Sequence, residues 1–236
     1  MKILVTGASR GIGYDTALHL AKTNEHQLLV LGRSEKELSA LYKKVRADIG
    51  SGILDVLIYD ITNTDPTVLI QALDQLGGLD ILINNAGLLI NKPFDQLTAS
   101  DWQVSFNANF FGAVNVIRTT LPYLSASATG QAHIVNIGSM GGFQGSSKFN
   151  GLAAYSAAKA ALANLTECLA EEFKDRGIAV NCLSLGAVQT EMLMQAFPGY
   201  QAPVSSEEMG EWVAWFATLG QRFFNGKVLP VSVSTP

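Results

Sequence analysis

The chain has 236 residues, of which 15% are charged and 48% hydrophobic. With a net charge of −4, scattered basic residues and only Lys43-Lys44 adjacent, nothing suggests a nucleic-acid partner. The length suits one α/β domain with a sizeable core, and no apolar run reaches membrane-spanning length.

Met1 leads directly into a strand rather than a signal peptide. The two cysteines, Cys168 and Cys182, read as small apolar core residues in a reducing compartment. A soluble cytoplasmic protein is the expectation. His19, His26 and His133 are dispersed, so no metal site is expected.

Lys2–Val5 is a short apolar strand, and Thr6-Gly7-Ala8-Ser9-Arg10-Gly11-Ile12-Gly13 follows at once. Tyr14–Lys22 then reads as a helix. Glycines spaced this way occur idly in loops. After a strand and before a helix, they let backbone N–H groups and a helix N-terminus approach a pyrophosphate.

Gln27–Leu31 is the second strand, followed by Gly32-Arg33-Ser34 and a helix over Glu35–Ile49. An acidic residue at this strand's end would bind the ribose 2′-hydroxyl of NAD, and none is present. Arg33 and Arg10 instead suit a 2′-phosphate, which favours NADP over NAD. Two solvated arginines are the ordinary alternative.

Val56–Tyr59 is the third strand. Asp60-Ile61-Thr62 closes it, with Asp60 either a turn residue or an adenine contact. Pro66–Leu76 reads as a helix. Leu79–Ile83 is the fourth strand and runs into Asn84-Asn85-Ala86-Gly87, which suits a backbone lying against a ligand or an ordinary amide-rich turn.

A long helix opens at Ser100 as N-cap and runs to Leu124. It carries Asn107, Asn109 and Asn115, and Asn is a poor interior helix residue. Ala132–Ile137 is the fifth strand, ending in Gly138-Ser139. Met140–Leu152 reads as a loop. A helix from Leu152 to Lys174 carries Tyr155 and Lys159. Ala179–Leu183 is a sixth strand, Gly186–Thr190 a turn, Glu207–Leu219 a helix and Lys227–Val233 a last strand.

A spacing of four puts Tyr155 and Lys159 on one helical face. A surface tyrosine beside a solvated lysine is the ordinary reading of such a pair. Its chemical reading is an ammonium that lowers a phenol's pKa toward neutrality, about three units below its usual ~10. Such a phenol passes a proton to or from a substrate oxygen.

Strands alternate with helices throughout, which predicts a doubly wound parallel sheet of about seven strands with helices on both faces. The glycine turn, Arg33, Asp60, Asn84–Gly87, Ser139 and Gly186–Thr190 each follow a predicted strand. They converge on the sheet edge where ligands bind. No composition break divides the chain, so residues 1–236 are expected to form one Rossmann domain containing the catalytic site.

Taken together, these motifs resemble the short-chain dehydrogenases/reductases over nearly the whole chain. The resemblance rests on Thr6–Gly13, Asn84–Gly87, Asn109 before Phe-Phe-Gly112, Ser139 after Ile-Val-Asn-Ile-Gly, and Tyr155-x-x-x-Lys159. It implies an oxidoreductase that interconverts a carbonyl and a secondary alcohol with NADP, NAD being the lesser choice. Tyr155 would be the general acid/base. Lys159 would lower its pKa and hold the nicotinamide ribose. Ser139 would bind the substrate oxygen, Asn109 would hold a water for proton relay, and Val188 and Thr190 would contact the carboxamide. A small-molecule substrate and a homodimer or homotetramer follow, with the Ala-rich helix at 153–170 as a candidate contact. No membrane or nucleic-acid partner is implied.

This sequence departs from the family pattern at Leu185-Gly186, where Pro-Gly is usual, and in the 16-residue step from Ser139 to Tyr155. Ser146 or Ser147 in that longer loop competes for the serine role. The ending Val231-Ser-Val-Ser-Thr-Pro236 lacks the usual Asp-Gly-Gly, and Glu191–Ser206 is short. Phe94, Phe143, Phe149, Met192, Phe197 and Tyr200 are candidates for an apolar pocket. Two rival readings are a catalytically inactive NADP(H)-sensing regulator and a nucleotide-sugar epimerase, for which little chain remains.

Overall fold

Short apolar runs bounded by glycine or polar turns become the strands of a parallel sheet. A computed structural model describes residues 1–50, 52–125 and 131–233. The strands are β1 (Lys2–Thr6), β2 (Gln27–Gly32), β3 (Leu54–Ile58), β4 (Ile81–Asn84), β5 (Ala132–Ser139), β6 (Ile178–Leu185) and, late in the chain, β9 (Val228–Val231). They pair in the order β3-β2-β1-β4-β5-β6-β9. Every pairing is parallel, in registers such as Val5↔Val30 and Ile83↔Val135.

A parallel sheet covered on both faces needs apolar residues at successive positions. Ile3, Leu4 and Val5 are all fully buried, alternating between the two faces. Burial of each contributes about 1.5–3 kcal/mol. One face is covered by α1 (Gly11–Lys22), α2 (Glu35–Asp48) and α8 (Ser206–Leu219), through Leu20, Leu38, Leu41, Val213 and Phe216. The other is covered by α3 (Thr67–Leu76), α5 (Gly112–Ser125) and α6 (Ala153–Glu172), through Leu69, Leu73, Val116, Ile117 and Ala170.

Strand order reverses between β1 and β4. That junction opens a crevice at the carboxyl ends of the strands.

Four expectations are corrected. The long helix starts two residues early, as α4 (Ala99–Phe106), with Thr98 rather than Ser100 at its N-cap. Thr98 and Asp101 form a reciprocal capping box, the Thr98 N–H donating to Asp101 Oδ2 at 2.8 Å. The bonds from Lys92 and Thr98 hold the Asp101 carboxyl down at about 2. The helix is then interrupted by a π turn, Asn107–Phe111, before α5 begins.

Gly186–Thr190 is more than a turn. It contains β7 (Val188–Gln189), which pairs with β8 (Val204–Ser205), and it leads into α7 (Glu191–Ala196). Cys182 is buried as expected, but Cys168 is exposed. An Ala-rich helix offers little polarity contrast, so its sequence does not say which face turns inward.

Among the described residues, no helix is long and apolar enough to cross a membrane. Among the same residues, no group of three or more His, Cys, Asp or Glu side chains is placed to hold a metal ion. The last three residues of the atypical C-terminal ending lie outside the described chain.

Candidate active site

The carboxyl ends of β1 and β4 are clamped together. The Asn85 side-chain amide donates to the Thr6 carbonyl at 3.0 Å and to the Gly7 carbonyl at 3.1 Å. In return, Thr6 Oγ1 accepts the N–H groups of Asn85 and Ala86, each at 3.0 Å. The clamp requires glycine at two places. A Cβ at Gly7, whose φ is +70°, would lie 2.7 Å from Ala86 Cα, and one at Gly13 would lie 2.3 Å from Asn85 Nδ2.

Helix α1 begins at this clamp with no side chain capping it and no acidic residue in its first turn. Its first N–H groups therefore stay available at the crevice, the arrangement that attracts an anion.

The crevice is a cleft of about 850 Å3. Gly7, Ser9, Arg10, Gly11, Ile12, Arg33, Asp60, Ile61, Asn85, Ala86, Gly87, Asn109, Ser139, Tyr155, Lys159, Val188 and Thr190 all line it. Of the cofactor-motif candidates, Gly13 does not. It sits beneath the turn, where its missing side chain makes room for Asn85.

Arg10 and Arg33 stand at the outer end of the cleft, each facing a carboxylate. Arg10 Nη1 lies 2.7 Å from Glu191 Oε2, and Arg33 Nη1 lies 3.9 Å from Asp60 Oδ2. Asp60 also accepts from the Thr62 N–H at 2.9 Å and the Thr62 hydroxyl at 2.8 Å. It is therefore a turn residue as well as a wall of the cleft.

At the inner end, Tyr155 and Lys159 share one face of α6. Lys159 is buried, its Nζ donating to the Ile137 carbonyl at 2.8 Å and lying 5.9 Å from the Tyr155 ring centroid. Burial lowers its pKa to about 8, partly opposed by the nearby Cys182 thiol. Burial also raises the Tyr155 phenol, partly offset by the adjoining Ser139 side chain.

The expectation of a depressed phenol is thus not met by this pair of side chains alone. Both groups are desolvated, and the ammonium donates to Ile137 rather than to the phenol oxygen.

Asn109 is buried within the π turn. Its amide donates to the carbonyls of Leu88 and Ser105, both at 2.9 Å, and accepts the Leu88 N–H at 3.1 Å. One amide hydrogen and the amide oxygen therefore hold Leu88 in the segment after β4, and the other hydrogen is spent on Ser105 in α4. Gly87 lets Asn109 approach, since a Cβ there would lie 2.7 Å from Asn109 Oδ1.

Ser139 ends β5 and accepts the Gly141 N–H at 3.2 Å. Ser146 does not compete for its place. Its hydroxyl is bound to the carbonyls of Met140 and Phe143 and to the Lys148 ammonium. Neither Ser146 nor Ser147 lines the cleft.

Of the apolar candidates, Phe149, Met192, Phe197 and Tyr200 line the cleft, whereas Phe94 and Phe143 do not. Phe94 is exposed, edge-on to Trp102. Leu89, Met140 and Glu191 are wall residues that sequence reasoning missed. Leu89 and Met140 carried a faint signal, being apolar residues in turns that follow strands.

Asn91 ties this side together. Its Nδ2 donates to the Ala196 carbonyl at 2.7 Å, and the neighbouring Lys92 N–H donates to Gly151 at 2.9 Å. Thr190 caps α7, accepting the Leu193 N–H at 3.2 Å. Leu185 continues β6, and Gly186 donates its N–H to the Val231 carbonyl at 2.9 Å, so β9 packs where Pro-Gly is usual.

The parallel sheet, the anion-ready helix terminus and the serine–tyrosine–lysine cluster in one cleft define a dinucleotide-dependent oxidoreductase. The chain belongs to the short-chain dehydrogenase family, whose model matches residues 1–201. It is 30% identical over 215 residues to an uncharacterized oxidoreductase of Staphylococcus epidermidis, covering 91% of this chain and 90% of that one. It is 36% identical over 193 residues to the ketoacyl reductase HetN of Nostoc, covering 80% and 64% respectively. Its fold matches a short-chain dehydrogenase from Mycobacterium paratuberculosis bound to NAD, with a TM-score of 0.85, 22% identity, and 99% and 97% of the two chains covered.

Proposed function

We propose that this protein is an NADP-preferring oxidoreductase that interconverts a carbonyl and a secondary alcohol. The observation that carries the reading is the single cleft that joins an uncapped helix N-terminus, two outer arginines, and Ser139, Tyr155 and Lys159.

The residues present fit a dinucleotide. The α1 terminus and the turn Ser9–Ile12 would hold the pyrophosphate. Arg10 and Arg33 would pair with a 2′-phosphate, while Asp60 and Ile61 bound the adenine. Ala86, Gly87, Val188 and Thr190 would flank the nicotinamide half. When bound, the reduced cofactor supplies a hydride to the carbonyl carbon and leaves oxidised.

Tyr155 donates its proton to the carbonyl oxygen in reduction and takes one back in oxidation. A phenol raised by burial is fully protonated at neutral pH, which suits the donor role. Ser139 donates a hydrogen bond to the same oxygen and stabilises its developing charge. With its pKa near 8, Lys159 is still mostly an ammonium at pH 7. It opposes the negative charge left on Tyr155 and would hold the ribose hydroxyls. Asn109 acts by positioning Leu88 and the loop that closes over this end.

The unit spans residues 1–236 and works as a homo-oligomer. Exposed Phe111, on the π turn packed beside α6, supports a contact between copies there. Equilibrium sedimentation tests this, and a monomer at micromolar concentration contradicts it. Oxidation of NADPH in the presence of a ketone panel, compared with NADH, tests the reaction. Tight NADPH binding without turnover of any carbonyl would favour a sensor instead.

A further inference from the structure

The two halves of the cleft differ in chemistry. The charged side chains that line it are Arg10, Glu37, Arg33, Asp60, Lys159 and Glu191. The first four stand on the half built from β1, β2 and β3. Lys159 is turned onto the Ile137 carbonyl at 2.8 Å, and Glu191 is paired with Arg10 at 2.7 Å.

The half beyond Ser139 and Tyr155 is walled by Leu89, Met140, Phe149, Met192, Phe197 and Tyr200. Among the described residues, no cation lines that half. The two nearby lysines are engaged elsewhere, Lys148 Nζ on the Phe143 carbonyl at 2.6 Å and Lys92 Nζ on Asp101 at 2.8 Å.

A carboxylate or phosphate seated there would lose part of its hydration and meet no cation in the wall. A neutral ketone behaves differently. Its oxygen takes hydrogen bonds from Ser139 and Tyr155, and its apolar body meets apolar walls.

We propose that the enzyme acts on uncharged, predominantly apolar ketones and the matching secondary alcohols, and rejects small oxo acids whose carboxylate would sit in that half. This specificity rests on the oxidoreductase reading of the same site.

The test uses matched pairs on one carbon skeleton, a 3-oxo acid and its methyl ester, together with a panel of neutral alkyl and aryl ketones, each with NADPH. The expected kcat/KM for the ester exceeds that for the acid by about 100-fold or more, as an uncompensated buried charge requires. Met192 is partly exposed on α7, so Met192→Lys changes a wall without opening the core. It should narrow the ester-to-acid ratio by about tenfold, since it supplies the missing cation. The ratio cancels any general loss of rate.

Equal or preferred turnover of the acid by the wild type overturns the specificity and leaves the oxidoreductase reading intact. NADPH binding with no turnover of any panel member overturns both.

Discussion

Lys159 donates its buried ammonium to the carbonyl of Ile137 at 2.8 Å, one helical turn from Tyr155. The bond anchors the base of α6 to β5, and it holds a charge where a charge is costly. Burial lowers this lysine to about 8 from an ordinary 10.5. In the unfolded chain the lysine keeps its proton up to the higher value. The penalty is therefore fully present below pH 8 and is relieved as pH rises to 10.5, amounting to about 3 kcal/mol. Lys159→Met removes that penalty but leaves Ile137 without its donor, so a net gain of about 1–2 kcal/mol is expected at pH 7. Thermal unfolding should show a higher Tm in a variant that no longer turns over substrate. A clear loss of stability would mean that the ammonium is better solvated than its surroundings imply.

His133 gives the opposite end of the pH scale. Its ring is fully buried in β5, Nδ1 donating to the Ala217 carbonyl at 2.9 Å and Nε2 accepting from the Asn181 amide at 3.0 Å. Burial lowers its pKa to about 4. The unfolded chain takes up this proton near 6.5, so stability falls as pH drops from 6.5 and the loss is complete near 4. The contribution is about 3 kcal/mol. Denaturant melts at pH 7 and pH 4.5 measure it. His133→Gln should be less stable at pH 7 and show a shallower decline.

Gly13 tests the clamp beneath the glycine turn. A Cβ there meets Asn85 Nδ2 at 2.3 Å and the Gly7 carbonyl at 2.4 Å. Gly13→Ala must displace one of them, at a cost of about 1–3 kcal/mol. Because Asn85 joins β4 to the turn, affinity for dinucleotide should fall as well. Calorimetric titration with NADPH checks this, and unchanged affinity would separate the clamp from the cofactor site.

The first six strands of the sheet were legible because each is a short apolar run ended near a glycine, an amide or a charged turn. The convergence of Arg33, Ser139 and Thr190 followed from that layout alone. The π turn at Asn107–Phe111 was not legible. An i→i+5 bond leaves no periodic mark in so short a segment, although the three asparagines hinted at a helix under special constraint. Helix α7 was missed because six residues give too little period, though Thr190 before Glu191 was a usable cap signal. Spacing could pair Tyr155 with Lys159, but it could not reveal that both would be desolvated. Nor could it show that the ammonium would turn to Ile137 on β5 and lie near Cys182 on β6.

The outer arginines predict cofactor choice. Loss of a charge-assisted contact costs about 1.5–3 kcal/mol. Arg33→Ala should therefore weaken NADP binding by at least tenfold and leave NAD nearly unchanged. Glu191 competes for Arg10 across the cleft mouth at 2.7 Å. Glu191→Gln should free Arg10 and tighten NADP binding several-fold. Parallel titrations with NADP and NAD decide both, and equal effects on the two cofactors would contradict a 2′-phosphate role.

The central claim is that Tyr155 moves the proton. The direct measurement is NADPH oxidation with a neutral ketone by the wild type and by Tyr155→Phe, with NADPH affinity measured on both. The phenylalanine keeps the ring beside Ser139 and Lys159 and removes only the hydroxyl. A loss in kcat/KM of at least about 100-fold, with cofactor affinity within a few-fold of wild type, is the predicted result. Equal turnover by the two proteins would contradict it.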